Sequence, residues 1–152
     1  MLLDVGIAAR LADVTMEVHV LLDGSRLPDR HTWQAALDTA GFPTRLDPEM
    51  QPERDSGLSP ATYEGRPAGF EIQVGDSSRI IDAYPELRDG GITADTCVSF
   101  TWSTSLDDLA AAVTAAAVLA NLSGGTYFDP QEGDVLSGPN AVLMAADLVG
   151  TL

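Results

Sequence analysis

"TCVSFTWSTSLDDLAAAVTAAAVLANLSGG", residues 96–125, joins the clearest strand of the chain to its clearest helix. Thr96, Val98, Phe100 and Trp102 alternate with Cys97, Ser99 and Thr101, the period-2 pattern of a strand with two different faces. Ser105 then stands three residues before Asp108, a cap resembling the reciprocal box with the shorter acid. From 106 to 122 the polar residues Asp107, Thr114 and Asn121 recur every seven positions and form one narrow stripe. Leu106, Leu109, Val113, Val118, Leu119 and Leu122 leave little other polar surface, so this helix must be covered on most sides. Gly124 and Gly125 supply the stop, since a residue without Cβ takes positive φ at no steric cost.

Upstream, "MEVHVLLD" alternates from Met16, with Val18, Val20 and Leu22 on one face and Glu17, His19 and Leu21 on the other. Residues 1–15 read as an N-terminal extension or short helix before a single domain over 16–152, and Met16 stands beside Met1 as an alternative start. After the "DGSRLPD" turn, Asp29 is placed to cap a helix through "RHTWQAALDTA", which puts Trp33, Ala36, Leu37 and Ala40 on one face and ends at Gly41. "PTRLDPEMQPERDSGLSP" reads as an exposed acidic loop, and "ATYEGRPAGFEIQV" as a hairpin. Pro85 and Gly90-Gly91 break "SSRIIDAYPELRDGG" into a strand and a turn. Downstream come a short strand at "TYFD", an acidic loop, and a last helix near 139–149. Helices separated by a run of hairpin-like strands predict an α+β fold, a mainly antiparallel sheet with about three helices packed on one face.

A chain of 152 residues is long enough for one domain, burying roughly 68–70% of its unfolded surface. Its 23 acidic residues face only eight basic ones, all Arg, for a net charge of −15. That field disfavours nucleic acid and anionic membrane surfaces and favours basic partners, although acidity also serves solubility alone. The single cysteine, Cys97, excludes an internal disulfide and a cysteine-cluster zinc site, and fits a reducing compartment. The N-terminal stretch is interrupted by Asp4, Arg10 and Asp13 and has no basic region ahead of an apolar block, so it does not read as a secretory signal. The expected location is cytoplasmic.

The common catalytic and phosphate-binding signatures are absent, and no catalytic residue, cofactor or metal ligand is assigned. Asp129, Glu132 and Asp134 offer hard oxygens, but their spacing differs from a calcium loop and Asp129-Pro130 is turn chemistry. If the strands at 17–22, 69–74 and 95–102 share a sheet, their polar faces gather His19, Glu71, Gln73, Cys97, Ser99 and Thr101 on one side. A thiol with a base and an acid in reach is the outline of a nucleophile, whereas a solvated sheet face with an inert thiol needs no function. His31, beside Asp29 at a helix start, reads as surface.

The strand ending at Trp102, the alanine-rich helix and "TYFDPQEGD" together resemble small acidic bacterial proteins, some of them regarded as immunity proteins that neutralise secreted or injected toxins; the resemblance spans residues 60–135. It implies a non-enzymatic binder with an acidic face, an immunity or antitoxin-like inhibitor of a basic toxin, and carries over no catalytic residue. The expected contacts are Asp47, Glu49, Glu53 and Asp55 in the loop, Asp129, Glu132 and Asp134 in the turn, and Tyr63 and Tyr127 as exposed aromatic anchors. The alternatives are a small enzyme using His19, Glu71 and Cys97 or an acidic metal site, and an accessory subunit that homodimerises through an open sheet edge. The binder predicts a convex acidic patch, the enzyme a concave pocket with convergent polar groups, and the subunit a broad apolar patch.

Overall fold

The computed structural model describes residues 16–103 and 105–152; the reading of 1–15 as an extension or short helix lies outside them. In chain order the elements are β1 (Met16–Leu22), α1 (Arg30–Ala40), β2 (Thr44–Leu46), β3 (Ser56–Tyr63), β4 (Arg66–Asp76), α2 (Ser78–Ala83), α3 (Pro85–Asp89), β5 (Thr96–Trp102), α4 (Leu106–Ser123), β6 (Thr126–Asp129), β7 (Asp134–Ser137) and α5 (Gly138–Gly150). The seven strands form one antiparallel sheet in the order β2-β3-β4-β5-β1-β6-β7. The fold is α+β, as expected.

Helices α1, α4 and α5 share one face of the sheet. Val18, Val20 and Leu22 of β1, Phe70 and Ile72 of β4, and Val98, Phe100 and Trp102 of β5 meet Trp33, Leu37 and the alanines of α4 in the main core. Small side chains let α4 ride close over the strands, and Trp33 crosses to it with its indole N–H donating to the Ala115 carbonyl at 3.0 Å. Although α4 has the length and the mean hydropathy of 1.3 of a membrane span, 67% of it is buried inside the fold, as in a core helix. Ser105 caps it by accepting from the Asp108 N–H, Asp107 pairs with Arg66 at 2.8 Å, and Asp108 accepts the Gly69 N–H at 2.9 Å. Its two first-turn acids thus bind the β3–β4 hairpin while complementing the helix dipole.

The polar stripe expected on α4 is broken at its centre. Thr114 is fully buried, donating to the Ala110 carbonyl at 2.7 Å and meeting Thr44 Oγ1. Gly124 ends the helix with φ +69°, and a Cβ on Gly125 would lie 2.5 Å from the Leu21 carbonyl oxygen, so the second glycine is set by close approach of two backbones.

Two segments differ from expectation. The stretch 43–60 is not one loop: β2 forms within it, and β3 begins at Ser56 and runs through Pro60. Proline is tolerated there because β2 pairs only with Ala61–Tyr63, leaving the start of β3 as an edge. The buried Gln34 amide lies along the outer side of β2, donating to the Thr44 carbonyl at 2.9 Å and accepting the Leu46 N–H at 2.7 Å, as a further strand would. Residues 78–89, expected as a strand and a turn, are the short helices α2 and α3. Ile80, Ile81, Tyr84 and Leu87 follow a helical spacing and cover Leu21, Cys97 and Phe128 on the second face of the sheet, while Pro85 starts α3 where its missing N–H costs nothing.

Candidate functional site

The strand registers place one residue of each of six strands in a single row, Ser56–Gln73–Ser99–His19–Phe128–Val135. The neighbouring row reads Leu58–Glu71–Thr101–Glu17. Residues directly opposite in a sheet share a face, so the polar constellation expected from the sequence is assembled on the side away from α4. α2 and α3 roof this face over Leu21 of β1, Cys97 of β5 and Phe128 of β6 and leave it open toward β3 and β4. Two adjoining grooves result. One of about 460 Å³ runs beneath α2 beside Glu17, His19, Arg79, Tyr84 and Cys97, and a second of about 280 Å³ lies along Ser56, Gly57 and Glu71. They share Gln73, Ser99 and Thr101.

His19 is the hinge of this arrangement. Its ring is 3% exposed, stacks on Phe128, and binds Ser99 Oγ through Nδ1 at 2.8 Å. Glu17 Oε2 stands 3.4 Å from Nε2, within ion-pair range but outside hydrogen-bond geometry, so Nε2 is a buried polar atom without a hydrogen-bond partner. Burial holds the imidazole below its usual pKa against the opposing pull of Glu17 and Asp129. The ring is therefore neutral at pH 7.

Cys97 Sγ lies 3.9 Å from His19 Nδ1 and 3.6 Å from Ser99 Oγ. Burial pushes its thiol up to about 11, which keeps it protonated and unreactive at neutral pH. Glu71 does not reach the imidazole; its carboxylate accepts from Thr101 Oγ1 at 3.5 Å. The Cys97–His19–Glu71 outline thus has its members on one face without the couplings a thiol nucleophile needs. Among the described residues no three His, Cys, Asp or Glu side chains converge to hold a metal ion.

The acidic residues expected as contacts fall into two separated groups. Asp47, Glu49, Glu53 and Asp55 lie in the β2–β3 connection, and Asp129, Glu132 and Asp134 at the β6–β7 hairpin. Several carboxylates shape their own turns: Asp47 accepts the Glu49 N–H, Asp55 the Gln51 N–H, and Asp129 those of Gln131 and Glu132. Glu49, Glu53 and Glu132 are exposed. Asp55 immediately precedes Ser56 and Asp134 immediately precedes Val135, so the groups flank the two ends of one row. Five strand steps of about 4.8 Å separate those ends, roughly 24 Å.

Tyr63 and Tyr127 are not exposed anchors. Tyr63 is 5% exposed and Tyr127 2%, because each alternates onto the side covered by α4. The aromatic ring that the groove does offer is Tyr84, half-buried and edge-on to Phe128 with ring centroids 4.9 Å apart. Tyr84 and Arg79 escape a reading of the sequence because the Ile80-Ile81 pair beside them carries the signature of a strand. Glu17 is visible as an alternating residue, and its i, i+2 relation to His19 is the signal that it belongs to the site.

The chain matches no protein-family model, no curated protein and no solved structure.

Proposed function

We propose that this chain is a non-enzymatic acidic binding protein that neutralises a basic partner by protein–protein contact, as an immunity or antitoxin-like inhibitor does. The observation that carries this reading is the placing of the acidic segments at 47–55 and 129–134 beside the two ends, Ser56 and Val135, of one row across the sheet. A partner spanning about 24 Å, across the uncovered strands and the α2–α3 roof, reaches both segments at once, so a charge pattern split in sequence acts as one surface. The net charge of −15 adds fast, salt-sensitive encounter with a cationic protein.

Affinity capture from lysate of the source cells at low salt, with wild-type bait and an Asp129→Asn/Glu132→Gln/Asp134→Asn bait, tests this reading. One basic protein released by salt and depleted on the variant is the expected result. Failure to retain any basic protein at any salt would remove the inhibitor reading.

A second reading, a small enzyme, has one observation in its favour: Ser99, His19 and Glu17 form a hydroxyl–imidazole–carboxylate chain beside a groove. Against it, Ser99 sits in a strand paired on both sides, so its neighbouring backbone N–H groups belong to the ladder and do not converge on a developing oxyanion. Turnover of simple esters that Ser99→Ala abolishes would favour the enzyme.

A further inference from the structure

Glu17 lines the groove beneath α2, whose wall also carries Arg79, and Glu71 lines the adjoining groove; the two grooves meet at Thr101. Glu17 and Glu71 face the same side from β1 and β4, directly across from Thr101 of the intervening β5. Two strand steps of about 4.8 Å therefore separate their backbones, and both side chains rise beside one hydroxyl. Among the described residues neither carboxylate pairs with an arginine: Glu17 approaches only neutral His19, and Glu71 accepts only from Thr101. Beside them His19 Nε2 is buried and without a hydrogen-bond partner, with the Glu17 carboxylate 3.4 Å away and not aligned to receive it. Tyr84, Ile80 and Ala83 form an apolar wall along the same groove.

We infer that the junction of the two grooves binds an arginine side chain of the basic partner, its guanidinium held over Thr101 between Glu17 and Glu71 and its methylene stem against Tyr84. The inference rests on the reading of the chain as a binder of basic proteins and names the contact. The planar fork of a guanidinium can donate to two separate carboxylates at once, and its stem covers apolar surface while the charge is paired. Drawing the Glu17 carboxylate into that fork also fixes it against His19. Nε2–H then donates to Glu17 while Nδ1 accepts from the Ser99 hydroxyl, so ligand binding supplies the partner that the imidazole lacks in the free protein. The groove beneath α2, of about 460 Å³, leaves room for the stem, and the adjoining one of about 280 Å³ for waters beside Glu71.

The test titrates the full-length, isotope-labelled protein with N-acetyl-arginine N-methylamide and follows Thr101, Ser99 and the His19 ring by NMR. The corresponding citrulline derivative, neutral and nearly isosteric, is the control. Saturable shifts with the arginine probe and not with citrulline are expected, with a change at His19 Nε2. Affinity should fall about tenfold in Glu17→Gln and again in Glu71→Gln, each checked for an unchanged amide spectrum. Absence of saturation, equal response to citrulline, or indifference to both substitutions would overturn the inference. The probe carries no partner surface, so its failure leaves the capture experiment to judge the inhibitor reading. A captured partner that binds Glu17→Gln and Glu71→Gln as tightly as wild type would overturn the groove alone.

Discussion

Thr114 shows how one side chain can be misplaced by pattern and still be correct chemistry. Its hydroxyl is satisfied on both sides, by the Ala110 carbonyl and by Thr44, in the middle of an apolar core. Thr114→Val should destabilise the protein by about 1–3 kcal/mol, because it strands the Thr44 hydroxyl. The double variant Thr44→Val/Thr114→Val should cost less than the sum of the two single changes, a difference that urea unfolding of the four proteins measures. His19 makes a prediction of opposite character. Because burial lowers its pKa from 6.5, the unfolded chain takes up a proton below pH 6.5 that the folded chain refuses. The stability tied to neutral His19 is then present above 6.5 and declines as pH falls toward the folded pKa. Between about pH 7.5 and about pH 5.5 the wild type should lose more stability than His19→Gln, and equal losses would show that the imidazole is not desolvated. The polar face around His19 was legible from alternation alone, since strand period fixes which side a residue takes. Its internal couplings were not, because a period says nothing of which carboxylate turns toward which ring.

At the scale of elements, α4 and β5 were readable because their patterns are long and unbroken. The elements that escaped are the short ones. β2 has three residues, too few for alternation to register, and Gln34 completes it from a helix twelve residues earlier in the hydrogen bond to Leu46. α2 and α3 have six and five residues, and Ile80-Ile81 carries the same β-branched signature as a strand. Tertiary burial against Leu21, Cys97 and Phe128 decides them. The junction of α4 and α5 offers a sharp test of packing. A Cβ on Gly138 would lie 2.3 Å from the Asn121 Cα and 2.7 Å from its nitrogen, so the first turn of α5 can approach α4 only as glycine. Gly138→Ala should destabilise by about 1–3 kcal/mol through forced separation of the two helices, seen as a lowered denaturant midpoint with an unchanged slope. An unchanged midpoint would mean that α5 docks loosely.

For the whole molecule, charge is the main property that packing does not set. Of the described arginines, Arg45, Arg66 and Arg88 are paired with Asp38, Asp107 and Asp82, which leaves a large uncompensated excess of carboxylates around the fold. Self-repulsion of this kind is screened by salt. The melting temperature should therefore rise as sodium chloride is added from low ionic strength, with most of the gain below about 0.15 M; a fall would mean that the ion pairs outweigh the repulsion. The same salt should weaken association with a basic partner, so stability and binding respond to ionic strength in opposite directions.

Both tryptophans lie on the helix-covered side of the sheet, Trp33 tethered to the Ala115 carbonyl and Trp102 at the end of β5. The groove beneath α2 contains none among its lining residues. Indole emission is therefore a built-in optical gauge of core integrity that is blind to events on the open face. A titrant that leaves the emission untouched while shifting the groove resonances has bound without loosening the interior. One that reddens it has begun to melt the protein, so a single cuvette separates occupancy from damage.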